Sequence, residues 1–148
     1  MTTDDEAPTL ASVRSAIGTP EGMLDLMPFT KLMGAVFSTV TAAEVKARLN
    51  WAPALCTSGR RLHGGAVMAL ADSTGAACAF LNLPDSAKAT TTVESKANFM
   101  RGVQEGYIEA TSRPLHLGRT LIVVETDVKD QDGRLVARVT QTQLVLSH

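Results

Sequence analysis

Hydrophobic positions along this chain change their period twice. Leu10, Val13 and Ile17 recur at helical spacing before Gly18, which predicts a short helix over Thr9–Ile17. Thr19-Pro20-Glu21-Gly22 reads as a turn into a short apolar segment near Leu24–Leu32. The period then falls to two. Val36, Phe37, Thr39 and Val40 are β-formers, and Glu44, Lys46 and Arg48 alternate with Val45, Ala47 and Leu49. Pro53 ends that run, and Cys56–Arg61 is a polar loop. Residues 63–82 are apolar around the whole helical wheel and stop at Asn82-Leu83-Pro84. Four strand-like runs follow, near 89–99, 105–113, 117–130 and 134–146, with a hairpin turn at Asp130-Gln131-Asp132-Gly133. In the last run Leu135, Ala137 and Val139 alternate with Arg134, Val136 and Arg138, so one side faces solvent more than the other.

A helix that is apolar on all sides must be covered, and a sheet wrapped around it does this. The expected fold is α+β: one long central helix, buried all round by its own protein, in an antiparallel sheet of about six strands. Residues 1–30 read as an N-terminal extension with a short helix, its first eight residues a disordered acidic tip, and residues 31–148 as the main domain.

Composition narrows the function classes. Net charge is −1 and the pI about 6.3, which argues against nucleic acid or an anionic membrane as partner. Cys56 and Cys78 form no CxxC pair and stand near no His/Cys cluster, so free thiols are expected and no metal site. Asp4, Asp5 and Glu6 stand where a secretory signal would carry positive charge, and a cytoplasmic location is expected. Gly64–Leu83 approaches the length of a membrane span, but Asp72 near its centre and its Ala/Gly content favour a core helix.

Asp72 is the position that calls for chemistry. Besides His63 and the thiol of Cys78, it is the one ionisable residue between Leu62 and Leu83. An ionised carboxylate in such a segment costs free energy unless a partner or a reaction uses it. The segment opens with Leu62-His63-Gly64-Gly65, and a helix start offers unpaired N–H groups and the positive end of the dipole. Such donors suit the oxyanion of a tetrahedral intermediate. Gly64 N–H is the candidate donor, Gly65 lets a ligand approach, and Asp72 is the candidate general base or nucleophile.

Leu62-His63-Gly64-Gly65, Ala71-Asp72, Thr92-Val93-Glu94 and Asn98-Phe99-Met100-Arg101, in this order of elements, resemble the hotdog-fold thioesterases and their phenylacetate-pathway and acyl-CoA thioesterase branch. The resemblance covers roughly residues 30–146. It implies hydrolysis of an aryl- or medium-chain acyl-CoA to free acid and CoA, with no cofactor beyond the coenzyme A of the substrate. It also implies that His63 shapes the helix start and that Thr92 contacts the carboxylate or its water. Arg101 and Arg119 match places that hold CoA phosphates. Thr57 stands where relatives carry an Asn or Gln six residues before the His, and its shorter hydroxyl is a departure from the pattern. Bland readings remain beside these: Thr92 as a packing residue, Arg101 and Arg119 as solvated charges, Ser73 and Thr74 bonded back to the helix, and His116 and His148 on the surface. A non-catalytic acyl-CoA-binding protein and an enoyl-CoA hydratase or dehydratase on the same fold are the alternative functions.

Spacing adds one constraint. Eight helical residues span about 12 Å, so Gly64 and Asp72 of one helix cannot reach one carbonyl. Both act on it only if a second subunit runs antiparallel to the first, which predicts a homodimer and, by the resemblance, a dimer of dimers. Met68, Ala69, Ala76, Phe80, Phe37 and Met33 are the candidate lining of an acyl pocket between the helix and the neighbour's strands, Met68 being the substrate-binding choice.

Overall fold

The apolar run forms a single helix packed across one face of a six-stranded antiparallel sheet. The computed structural model describes residues 9–147, so the acidic tip expected at residues 1–8 lies outside the described residues. Three short helices come first: α1 (Leu10–Ile17), α2 (Pro20–Asp25) and α3 (Pro28–Leu32). Strands β1 (Val36–Val40) and β2 (Val45–Asn50) lead to α4 (Gly64–Leu81), then β3 (Ala89–Phe99), β4 (Tyr107–Leu117), β5 (Leu121–Asp130) and β6 (Leu135–Leu146). The sheet order is β1-β2-β4-β5-β6-β3, which leaves β3 as an edge. This is the expected α+β hotdog architecture.

Two local expectations need correction. Thr19–Gly22 is the start of α2 rather than a turn. Thr19 Oγ1 accepts the Gly22 N–H at 3.1 Å and Pro20 occupies the first helical position, where its missing N–H costs nothing. In the second correction, β4 continues to Leu117 and β5 begins at Leu121, so Gly118–Thr120 is the hairpin. The register shifts between Pro114 and His116, a bulge that carries the strand through a residue with no N–H to give.

The core lies between α4 and the inward face of the sheet. Val45, Ala47 and Leu49 of β2, Ile108 and Ala110 of β4, Ile122 and Val124 of β5, and Val139 of β6 meet Leu70, Ala71, Ala77 and Cys78. Cys56 and Cys78 are both free, and burial pushes the Cys78 thiol up to about 11. Phe37, expected in an acyl pocket, is a core residue at 3% exposure.

The central helix is not covered all round. Val67, Leu70, Ala71, Ser73, Thr74, Gly75, Ala77, Cys78 and Ala79 are buried, while Gly65, Met68, Ala69, Asp72, Ala76 and Phe80 stay partly or fully exposed. These six fall at three- and four-residue spacing, a continuous stripe with the carboxylate at its middle. Gly, Ala and Met read as apolar in the sequence whether covered or not, so the pattern hid the open side. By length and composition α4 could cross a membrane, but it packs on β2 through β6 as the core helix of this fold.

Candidate active site

The chain enters α4 through two cross-loop bonds. Leu62 N–H donates to Val103 O and His63 N–H to Leu55 O, both at 2.8 Å. His63 caps the helix with extended backbone (φ −63°, ψ 135°), and its Nδ1 accepts the Gly65 N–H at 2.8 Å. A Cβ on residue 65 would lie 2.9 Å from that nitrogen, so Gly65 is what lets the ring fold back over the helix start. Ala66 and Val67 N–H both donate to His63 O, at 2.9 and 3.2 Å. Of the four amides that open the helix, Gly64 N–H alone donates to no described protein group. It borders a pocket of about 410 Å³ whose walls include Thr57, Arg61, Phe99 and Arg101. Behind the His63 ring a second pocket of about 350 Å³ is walled by Met33, Leu55 and Ala66.

Asp72 lies two turns further along the open stripe. Gln141 Nε2 donates to its Oδ1 at 2.7 Å and to Thr92 Oγ1 at 3.0 Å. Gln143 Nε2 also donates to Thr92 Oγ1, at 2.6 Å, while Gln143 Oε1 accepts from Thr90 at 3.1 Å. With two amide donors on its oxygen, the Thr92 hydroxyl has its own proton left for the carboxylate, and a hydrogen bond from Thr92 does favour the ionised Asp72. Desolvation is the larger effect, and it holds the Asp72 pKa above the ordinary carboxylate value against the bonds from Gln141 and Thr92.

Gln141 is fully buried, and its Oε1 is buried without a partner. That oxygen presses on Gly75, where an added Cβ would sit 2.0 Å from it. Gly75 therefore makes the space from which Gln141 reaches Asp72. Replacing Gln141 with Leu removes a donor to a charged group, worth roughly 1.5–3 kcal/mol when well shielded. The carboxyl of Asp72 should then titrate higher still in carboxyl-carbon NMR, since a bond that favours its ionised form is lost. An unchanged titration would show that the amide does not hold the carboxylate.

The structure gathers part of the predicted set. Thr57, Gly64 and Arg101 share one pocket, and Asp72 and Thr92 share one hydrogen-bond network. His63 and Gly65 form the cap, and Met68 lies partly buried on the stripe between them and Asp72. Arg119 stands apart in the β4–β5 turn. Leu121 pairs with Leu144 and Phe99 with Ala137, so within one chain Arg101 and Arg119 lie at opposite ends of the sheet, on the order of 25–30 Å apart. The expected single acyl lining is also divided: Met33 borders the pocket behind His63, whereas Ala76 and Phe80 border a third pocket beside α1 and α2. Sequence reading missed Gln141 and Gln143. Their signal was present, since both continue the inward phase set by Ala137 and Val139, where a polar residue needs a purpose.

A free helix-start amide and a hydrogen-bonded carboxylate on one core helix of a hotdog fold define a class. The chain belongs to the thioesterase superfamily, whose family model matches residues 59–137. Among solved structures it is similar to a variant of a Pseudomonas aeruginosa thioesterase (25% identity, TM-score 0.77, 96% of each chain covered). It is likewise similar to a thioesterase family protein of Silicibacter pomeroyi (26% identity, TM-score 0.79, 93% of this chain and 98% of that one). Among curated relatives, the 1,4-dihydroxy-2-naphthoyl-CoA hydrolase of Escherichia coli is 34% identical over 85 residues, 57% of this chain and 62% of its own length. The matched stretches take in 55%, 60% and 61% of the length of relatives from Deinococcus radiodurans, Bacillus subtilis and Pseudomonas aeruginosa.

Proposed function

We propose that this protein hydrolyses an acyl-CoA thioester to a free acid and CoA. The observation that carries the reading is the pair on α4: a Gly64 N–H with no acceptor among the described residues and an exposed Asp72 carboxylate. Membership in the thioesterase superfamily and the name of the Escherichia coli relative support the substrate class. The resemblance to the phenylacetate-pathway branch rests on the sequence motif alone.

Asp72 takes a proton from water, and the resulting hydroxide attacks the thioester carbon. Gly64 N–H holds the oxyanion, the C–S bond breaks, and the CoA thiolate leaves with the proton returned from Asp72. A raised pKa makes the carboxylate a stronger base than an ordinary Asp. Gln141 and Thr92 fix its orientation. Thr57 binds the incoming thioester in this reading, which its place on the rim of the same pocket as Gly64 supports. The chemistry as written uses no metal and no further cofactor.

Two subunits complete the site. Gly64 and Asp72 are about 12 Å apart along one helix, so the donor for one carbonyl comes from a partner whose α4 runs antiparallel. The uncovered stripe of α4 and the exposed edge strand β3, with Val93 56% and Phe99 53% exposed, supply the apolar surface for that partner. Antiparallel pairing also carries the Arg101 end of one chain toward the Arg119 end of the other, where both can hold CoA phosphates.

Thiol release from a panel of alkyl- and aryl-CoA thioesters, followed with a thiol-reactive dye, tests the reading. Release matched by free acid is the expected result. Tight acyl-CoA binding with no turnover across the panel would replace the hydrolase with a binding protein.

A further inference from the structure

The third pocket, of about 260 Å³, lies between α4 and the helices that precede the sheet. Met23, Leu26 and Met27 come from that N-terminal segment, Ala76 and Phe80 from α4, and Thr90 from β3. Two rails connect it to the carboxylate. On α4, Ala76 and Phe80 follow Asp72 at successive four-residue steps on the same open stripe, about 6 Å per step. On β3, Thr90 precedes Thr92 by two residues, and Gln143 bonds both of them. The pocket therefore opens about one helical turn beyond Asp72, on the side away from Gly64.

We infer that this pocket receives the acyl tail, and that it selects apolar, unsubstituted tails of medium length. The inference rests on the hydrolase reading and adds to it the class of acid released. Size sets the length. At about 260 Å³ the pocket lies just below the roughly 300–1,000 Å³ range of drug-sized ligand sites, a size that suits a tail of medium length. Chemistry sets the polarity. The lining is aliphatic apart from Phe80 and Thr90, and the Thr90 proton is committed to Gln143 Oε1 and Leu144 O at 3.1 and 3.0 Å. Among the described lining residues no side chain is free to donate to a ring oxygen, so a hydroxylated aromatic acyl group would bury polar atoms with their hydrogen bonds unmade.

The test compares acetyl-, octanoyl-, palmitoyl-, 4-hydroxybenzoyl- and 1,4-dihydroxy-2-naphthoyl-CoA on wild type, Leu26→Trp and Met27→Ala. Leu26 is 51% exposed, so an indole can fill the mouth without disturbing the core, and melting temperatures check that the variants fold. Wild type should favour octanoyl-CoA. Leu26→Trp should lower kcat/KM for octanoyl-CoA about tenfold and leave acetyl-CoA within about twofold. Met27→Ala should move the optimum to longer chains. A length profile unchanged in both variants, or faster turnover of a hydroxylated aryl-CoA by wild type, overturns the pocket while leaving the hydrolase intact. If no thioester is cleaved, the hydrolase reading falls, and calorimetric binding of octanoyl-CoA decides the pocket: weakened by Leu26→Trp it stands, unchanged it falls.

Discussion

Asp72→Asn should lower thiol release by about 10³-fold while the protein folds as before, because the amide cannot take the proton from water. Asn keeps an oxygen for the Gln141 N–H, so the surrounding bonds survive the change. Stability should move the other way. Asp72 has a folded-state pKa above its ordinary value, so its neutral form is the one the fold favours. That contribution is present at low pH and lost as pH rises through the folded pKa. At pH 7 the Asn variant, which never ionises, should therefore melt slightly above wild type. Below about pH 4, where both side chains are neutral, the difference should vanish. Calorimetry at the two pH values, with assays at pH 7, checks both halves. A variant that is inactive because it is unfolded, or active at wild-type rate, contradicts the proposed role.

Gly64→Pro should be nearly as damaging, by about 10²- to 10³-fold, while the fold is kept. Residue 64 is the first helical position, where proline is tolerated, and its N–H donates to none of the described residues. His63 already has the extended backbone that a following proline requires. A Cβ at 64 meets the Phe99 ring at 3.5 Å, an ordinary contact. The substitution thus deletes one hydrogen-bond donor and little else. Mixing the two dead variants then tests the shared site. In a mixed dimer one site combines an intact Asp72 with an intact Gly64, and the other carries both lesions. Random reassortment makes about half of the dimers mixed, so about a quarter of wild-type activity should return. No recovery after confirmed subunit exchange would place both residues in one chain's site or neither in any.

The elements of this fold were legible where period and punctuation agreed. The change to a two-residue alternation marked β2, the uninterrupted apolar run marked α4, and Asp130–Gly133 marked the final hairpin. Boundaries failed where one residue admits two readings. Thr19-Pro20 serves a turn and a helix start equally well, and Pro114 suggests a strand end unless a bulge carries the strand past it. The site was legible at Asp72 because a charge in an apolar segment is conspicuous. Gln141 and Gln143 were not, because an alternating strand that carries Gln-Thr-Gln reads as half-exposed until a carboxylate is known to face it. The open stripe of α4 was invisible for a different reason: small apolar residues give the same pattern against protein and against solvent.

The N-terminal wall of the third pocket runs from Val13 to Met27, whereas the superfamily match begins at residue 59. On the proposed reading, part of the tail pocket is thus written outside the matched segment, while Ala76, Phe80 and Thr90 of the same pocket lie within it. A lineage could exchange the N-terminal wall, or lengthen it by a turn, and acquire a new preferred acid without a single change among Gly64, Asp72 and Gln141. Diversification of this kind would leave relatives alike in the matched segment and divergent before it, and grafting residues 9–35 between two such proteins would carry the preference along.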